Sequence, residues 1–278
     1  GEMPDAVYAV ESTATLTGKA EKVTYEYDEL GRVTTRTVYL NVATGAKKVT
    51  TYTYREGSHE GSTSAMVDTI TTDGVTYAYT YDKVGRITTI TKNGTEVESY
   101  VYDSLGQLSQ ITRNGNVIAA YTYDNGGNIT SRKEYDNATG ALVSQAQYTY
   151  GDIHWGDLLT AYKGQSITYD GIGNPLNDGT WTYTWQNGRQ LARMQSVDVD
   201  ASFVYNENGL RVEKTVNGVV TKYTLHGKNI VHMTQGSNEL HFFYDAQNKP
   251  AVVVFNGTPY SYVKNLQGDI VALLDSTG

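Results

Sequence analysis

Aromatic residues recur two positions apart along most of the chain, and a polar corner follows nearly every pair. Tyr25/Tyr27, Tyr52/Tyr54, Tyr79/Tyr81, Tyr100/Tyr102, Tyr121/Tyr123, Tyr148/Tyr150, Tyr183/Trp185, Phe203/Tyr205, Phe242/Tyr244 and Tyr260/Tyr262 are all spaced this way. A period of two puts both rings on one face of an extended strand. Downstream of the pairs stand Tyr27-Asp28-Glu29-Leu30-Gly31-Arg32-Val33, Tyr81-Asp82-Lys83-Val84-Gly85-Arg86-Ile87, Tyr102-Asp103-Ser104-Leu105-Gly106-Gln107-Leu108 and Tyr123-Asp124-Asn125-Gly126-Gly127-Asn128-Ile129. The pattern is Tyr-Asp-x-x-Gly-x-aliphatic, with the last three copies 21 residues apart. An Asp opening a four-residue turn accepts from the backbone amide two residues on. A Gly three positions later supplies the positive φ that closes a type I turn with a bulge.

After the corner comes a second β-prone run, such as Ile87-Thr88-Thr89-Ile90-Thr91. It ends at Asn93-Gly94, Asn114-Gly115, Asn217-Gly218 or Asn256-Gly257 in the copies that carry one of these dipeptides. Asn-Gly favours the two-residue hairpin turn. One repeat is therefore two antiparallel strands with a corner at each end. Looser copies start at Tyr169-Asp170 with Gly173, at Trp185-Gln186-Asn187-Gly188 and at Tyr205-Asn206. Tyr244-Asp245 and Tyr262-Val263 are more degenerate. The expected fold is all-β: tandem antiparallel hairpins forming one continuous sheet, curved or spiralling because strands twist with a fixed hand, as a partial cocoon or shell.

The array is expected to span residues 23–258, after a boundary segment at 1–22. Intervals of 54 residues from Tyr27 to Tyr81 and 46 from Tyr123 to Tyr169 leave room for an extra hairpin or a protruding loop, with 55–64 and 136–140 as loop candidates. No stretch has helical periodicity with caps, although 153–160 fits a single helical turn. Cutting a ribbon of this kind exposes edge strands. Self-association through those edges, or a terminal strand folded over them, is expected.

Composition changes the picture of the core. In 278 residues there are 24 Tyr and 28 Gly but only 4 Phe, 4 Met, 3 Trp and 4 Pro. A phenol is apolar in its ring and needs a hydrogen-bond partner when buried, so half-wet sheet faces are expected. A net charge of −8 argues against nucleic acid or an anionic membrane surface as partner. The absence of Cys excludes disulfides, thiolate metal sites and cysteine nucleophiles. No apolar run approaches the ~20 residues that span a bilayer. The ends, Gly1-Glu2-Met3-Pro4 and Asp275-Ser276-Thr277-Gly278, both read as cuts from a longer chain.

Candidate chemistry is sparse. The repeat aspartates Asp28, Asp82, Asp103, Asp124, Asp170 and Asp245 could be metal ligands or acid/base groups, but their place before a turn Gly favours a structural role. Asp152-Ile153-His154-Trp155-Gly156-Asp157 is the densest polar cluster and lacks a recognisable ligand signature. His226, His232 and His241 fall in expected strands and read as core or surface residues. Gly126-Gly127-Asn128 has no Lys-Ser/Thr and no following helix, so it is no phosphate loop. Asn93, Asn128, Asn137 and Asn256 begin glycosylation sequons, and the Asn-Gly-Thr copies are equally what a hairpin turn produces. No catalytic, cofactor or metal site is expected. The aromatic stripes could also stack on sugar rings, although rings alternating on a sheet usually form packing ladders.

The tandem Tyr-Asp-x-x-Gly units resemble the Rhs/YD-repeat superfamily over nearly the whole chain. Trp155-Gly156-Asp157-Leu158-Leu159-Thr160, Ile167 to Pro175 and Gly188-Arg189-Gln190-Leu191 resemble its wall-associated members in Gram-positive bacteria. Residues 259–278, with Tyr262 to Asp275, are similar to the start of the family's Rhs-associated core. The resemblance implies a secreted or wall-associated segment of a hollow shell that encloses a toxic C-terminal domain in bacterial competition. The implied partners are further repeats and the toxin domain of its own chain. The shell's repeat residues would be Tyr27, Asp28, Gly31, Tyr81, Asp82, Gly85, Tyr102, Asp103, Gly106, Tyr123, Asp124, Gly127, Tyr169, Asp170 and Gly173. The family's Asp-Pro junction is not in this sequence, so Asp269 and Asp275 are not assigned as protease residues. The alternative is a cell-surface adhesin or carbohydrate-binding module, with glycan or a surface protein as partner.

Overall fold

A computed structural model of the chain describes residues 6–11, 22–59 and 62–277, and among these the backbone consists of strands, turns and bends with no helix. Successive strands are antiparallel neighbours in chain order. Fourteen run from Ala9–Glu11 to Gln165–Ser166 in one sheet, and twelve from Thr168–Tyr169 to Ile270–Leu274 in another. The all-β hairpin array expected from the period-two pattern is present, laid out as two long sheets where one continuous sheet was anticipated. The division falls where strands shorten to two or three residues, at Ala161–Tyr162, Gln165–Ser166, Thr168–Tyr169 and Pro175–Asn177. There the Ile167 amide bonds the Thr160 carbonyl at 2.9 Å, continuing the short hairpin of Ala161–Tyr162 and Gln165–Ser166 by one rung before the first sheet ends.

The long intervals hold extra hairpins. Strands Ala46–Glu56 and Thr63–Thr72 form the one inside the first interval, so the 55–64 loop candidate is strand at its two ends and a connection between them, closed by Gly57 N–H to the Ser62 carbonyl at 2.8 Å. Residues 60 and 61 of that loop lie outside the described residues. Residues 136–140 form the connection between Ile129–Tyr135 and Leu142–Thr149. At 153–160 a single turn, Leu158 N–H to the Trp155 carbonyl at 3.0 Å, takes the place of a helix. The N-terminal strand Ala9–Glu11 pairs along Lys22–Tyr27 and covers that edge for three residues. Cross-strand threonine pairs, such as Thr50 with Thr72 at 2.8 Å and Thr53 with Thr69 at 2.7 Å, add hydroxyl bonds between neighbouring strands.

The chain forms two compact units, one joining the residues through Thr95 to those from Tyr223 onward, the other Glu96–Lys222. In the first unit strands from distant parts of the sequence face each other. Val23, Tyr25, Val38 and Leu40 pack with Ala251, Val252 and Val254, and Tyr27, Val33, Phe243 and Ala246 close the margin. Ala251 to Val254 are buried at four consecutive positions, so this strand is covered on both faces, as a continuous apolar run requires. Full burial of each Val or Leu contributes about 1.5–3 kcal/mol. In the second unit the buried residues are small or polar: Ala119, Ser131, Ala146, Asn174, Ala201 and Thr221.

Candidate functional site

The repeated element is the candidate site, and its geometry begins at the Asp. At Asp28 the side-chain Oδ1 accepts from the amides of Leu30 (3.0 Å) and Arg32 (2.9 Å), while Oδ2 accepts from Arg32 Nε at 2.7 Å. The backbone closes the same loop, with Gly31 N–H on the Asp28 carbonyl and Asp28 N–H on the Arg32 carbonyl, both 3.0 Å. Gly31 sits at φ +79°. The arrangement returns at Asp82, Asp103, Asp124 and Asp170, with Gly85, Gly106, Gly127 and Gly173 in the positive-φ place. Backbone and side-chain donors hold Asp82, Asp124 and Asp170 below the usual carboxylate range, led by Arg86, Asn128 and Asn174 respectively.

Three degenerate copies show what the corner tolerates. Asn206 makes both amide bonds at 3.0 Å in place of Asp. Asn248, at φ +60°, stands in for Gly after Asp245. The last corner lies at Asn265-Leu266-Gln267-Gly268, with Asp269 N–H on Asn265 Oδ1 at 2.8 Å and Gly268 at φ +91°. That shifts the frame read at Tyr262-Val263, and Lys264 occupies the place of the motif tyrosine. The looser copy at Trp185 keeps the aromatic residue but turns through Asn187 and Gly188, both at positive φ.

The motif tyrosine itself has a function that the sequence pattern did not expose. Its hydroxyl donates to a backbone carbonyl of the preceding hairpin: Tyr54 to Val33 at 2.8 Å, Tyr81 to Val67 at 2.6 Å, Tyr123 to Leu108 at 2.6 Å, Tyr205 to Leu191 at 2.9 Å and Tyr244 to Ile230 at 2.7 Å. Tyr27, Tyr150 and Tyr169 donate to Val7, Ile129 and Leu159, and Trp185 Nε1 reaches the Pro175 carbonyl at 2.7 Å. In five of these the acceptor is the residue that ends an earlier corner: Val33, Leu108, Ile129, Pro175 and Leu191. All of these aromatics except Tyr27 and Tyr169, whose acceptors lie outside any strand, thus staple their hairpin to the one before. A Phe could pack the ring but would leave the carbonyl bare, which is why the chain uses Tyr. Burial raises the phenol pKa of Tyr54, Tyr81, Tyr123 and Tyr169. Tyr183, half-buried and donating to Asp178 Oδ2 at 2.7 Å, is pushed up to about 12.

Inside the first unit, two tyrosines at the other position of the aromatic pair close early hairpins onto late corners. Tyr25 OH accepts from the Ala246 amide at 3.0 Å, and Tyr79 OH from the Leu266 amide at 3.2 Å. Beside them Arg36 pairs with Asp245 at 3.1 Å, with side chains 11% and 5% exposed. Lys264 Nζ lies 3.7 Å from the same carboxylate oxygen, beyond hydrogen-bond distance, and burial pushes its ammonium down from its ordinary value. A groove of about 510 Å³ adjoins this network, lined by Ile70, Val75, Tyr77, Val263 and Leu274 with Asp73, Lys92 and Lys264 among its polar residues.

The remaining sequence candidates separate. Asp152 Oδ1 accepts from the amides of His154 and Trp155, both at 2.8 Å, and the side chains of this cluster are largely exposed without converging. Trp155 instead covers Gly173, where an added Cβ would lie 2.6 Å from its ring. Of the strand histidines, His232 and His241 are brought face to face. They are register partners with rings stacked 4.2 Å apart, and Glu239 lies beside them. They are nine positions apart with no ligand motif. The signal that could have paired them is the turn at Gly236-Ser237, which sets the register.

Strands that are all antiparallel hairpins, with a recurring corner and an aromatic staple to the preceding neighbour, define a tandem β-hairpin repeat protein. The RHS Repeat family profile matches residues 102–134, spanning two of the corners. A tRNA3(Ser)-specific nuclease WapA of Bacillus spizizenii and the tRNA nuclease WapA of Bacillus subtilis are each 35% identical over 127 residues, 43% of this chain and 5% of the relative. In fold, 94% of the chain overlays 15% of a chain in the Photorhabdus luminescens Tc holotoxin pore, with a TM-score of 0.57 and 16% identity. The crystal structure of TcdB2-TccC3-Cdc42 gives 0.56 and 17% over 94% of this chain and 16% of that one. Over residues 102–134 the chain is similar to the RHS Repeat family, and in fold it is similar to these Tc toxin chains.

Proposed function

We propose that this chain is a section of the β wall of an exported Rhs/YD-repeat toxin, secreted or associated with the cell wall, and that the wall encloses or presents a C-terminal effector. The observation that carries the reading is the staple. Tyrosines along the array spend their hydroxyls on the neighbouring hairpin, which suits a continuous wall. Sugar recognition needs free donors and acceptors beside the rings. The repeat-motif residues act here as corners and staples, and residues 259–278 open the family's core.

The nuclease activity in the relatives' names belongs to proteins of which this chain matches one twentieth. In this reading the repeats contribute containment, with no chemistry of their own, and the effector supplies the toxic activity. The test is limited proteolysis of the longer parent protein followed by mass spectrometry. The region following the repeats should resist cleavage in the folded parent and be cut rapidly once the wall is unfolded in urea. Equal cleavage in both states would sink the proposal. Glycan-array binding by the 278-residue chain would put the adhesin in its place.

A further inference from the structure

The hairpin of strands Asn229–Gln235 and Asn238–Tyr244 turns tightly through Gly236, at φ +58°, and Ser237. The register sets Gln235 opposite Asn238, Thr234 opposite Glu239 and His232 opposite His241. Glu239 and His241, two residues apart on one strand, share a face with His232 on the other. His241 also pairs with Val254 of the next strand, a member of the hydrophobic core, so all three side chains lie on the core-bearing face. The imidazole planes are within 8° of parallel. One donor atom from each of His232, Glu239 and His241 lies within 4.8 Å of the other two.

His232 Nε2 is shielded from solvent and has no hydrogen-bond partner among the described residues. Glu239 Oε1 is 3.4 Å away but makes no hydrogen bond to it. Ring stacking across strands accounts for the faces of the imidazoles, yet leaves this nitrogen unexplained, and a buried polar atom without a partner calls for an explanation. Two imidazole nitrogens and one carboxylate oxygen form a donor set for borderline divalent ions, whereas Ca²⁺ and Mg²⁺ take oxygen ligands.

We propose that His232, Glu239 and His241 form a binding site for a borderline divalent transition-metal ion, Zn²⁺ being the representative case. Tetrahedral coordination at Zn–N and Zn–O distances near 2.0–2.1 Å needs donors about 3.3 Å apart, a closure that rotation of the three side chains supplies. The short turn already holds the two strands in register, so little further ordering is required. Three protein ligands leave one position for water or for a side chain of another polypeptide.

The test is calorimetric titration of the metal-free 278-residue chain with Zn²⁺. One equivalent should bind, with Kd of about 10 μM or tighter. His232→Ala and His241→Ala should each weaken binding by about 100-fold, Glu239→Gln by about 10-fold, and His154→Ala not at all. Should a histidine variant fail to fold, imidazole ¹H–¹⁵N spectra of the unaltered chain decide the matter. Zn²⁺ must then move the nitrogen resonances of His232 and His241. Absence of saturable binding, or shifts confined to His59, His154 and His226, overturns the proposal.

Discussion

The unit joining the early and late hairpins and the unit of Glu96–Lys222 use the same corner and the same staple, yet they exclude water differently. In the first, buried positions carry Val23, Val38, Leu40, Tyr79 and Val252, and two layers share a core. In the second they carry alanines with Ser131, Asn174 and Thr221, while Val101, Val143 and Val204 are half exposed or more. The comparison separates what the repeat specifies from what it leaves free. Corner and staple set hairpin geometry and neighbour coupling. The size of the residues at alternate strand positions decides whether a sheet face closes on a second layer.

The contrast can be broken most severely at the buried charges. Asp245→Ala leaves Arg36 and Lys264 unpaired in the first unit and should cost about 3–5 kcal/mol in urea unfolding, whereas Asp124→Ala, at an exposed corner of the second, should lose much less. Equal losses would mean that the buried network is not what distinguishes the units. Next comes core volume. Leu40→Ala should destabilise by about 2–5 kcal/mol, against a change within about 0.5 kcal/mol for Val204→Ala.

The staples should matter in both units. Tyr123→Phe and Tyr244→Phe each remove one hydroxyl and should each cost about 0.5–1.5 kcal/mol. Hydrogen exchange should speed up chiefly in the mutated hairpin and the one before it. Exchange unchanged at both sites would remove the staple from the account.

The smallest effect per residue is the corner carboxylate. Asp82, Asp124 and Asp170 have folded pKa values below the unfolded one. Their contribution is therefore fully present above the ordinary carboxylate range of about 4, and it is lost as pH falls through the depressed folded values. Thermal melts followed by circular dichroism from pH 7 to pH 2 should show this loss. The triple variant D82N/D124N/D170N should have a flatter profile below pH 4.

Much of this was legible in the sequence. Period-two aromatics gave the strands, and Asp-x-x-Gly gave corners whose hydrogen bonds match the expected type I turn with a bulge. Both are local signals, decided within five residues. What stayed hidden depends on pairing between strands. The staple links Tyr123 to Leu108, and the core links Val23 to Val252, so neither appears until register and layering are known. The shifted last corner at Asn265 was missed because Asn replaced Asp and Lys264 replaced Tyr. The His232/His241 pair was missed because Gly236-Ser237 was not recognised as the turn that sets their register. The division into two sheets near residue 167 likewise follows from very short strands rather than from any break in the motif.

The staple has one further consequence, for how such a chain changes length. Tyr123 reaches back to Leu108, just as other motif aromatics reach the hairpin before their own. Removing the stretch from Asp103 through Tyr123 would join Tyr102 directly to Asp124, and every remaining hairpin would still meet a neighbour of the same kind. Gains and losses of whole 21-residue units are thus structurally quiet, while an insertion of a few residues into a strand throws the staple out of alignment. Growth in whole steps is built into the bond between neighbours, and the length of an array of this type can be altered by gene duplication without redesigning that bond.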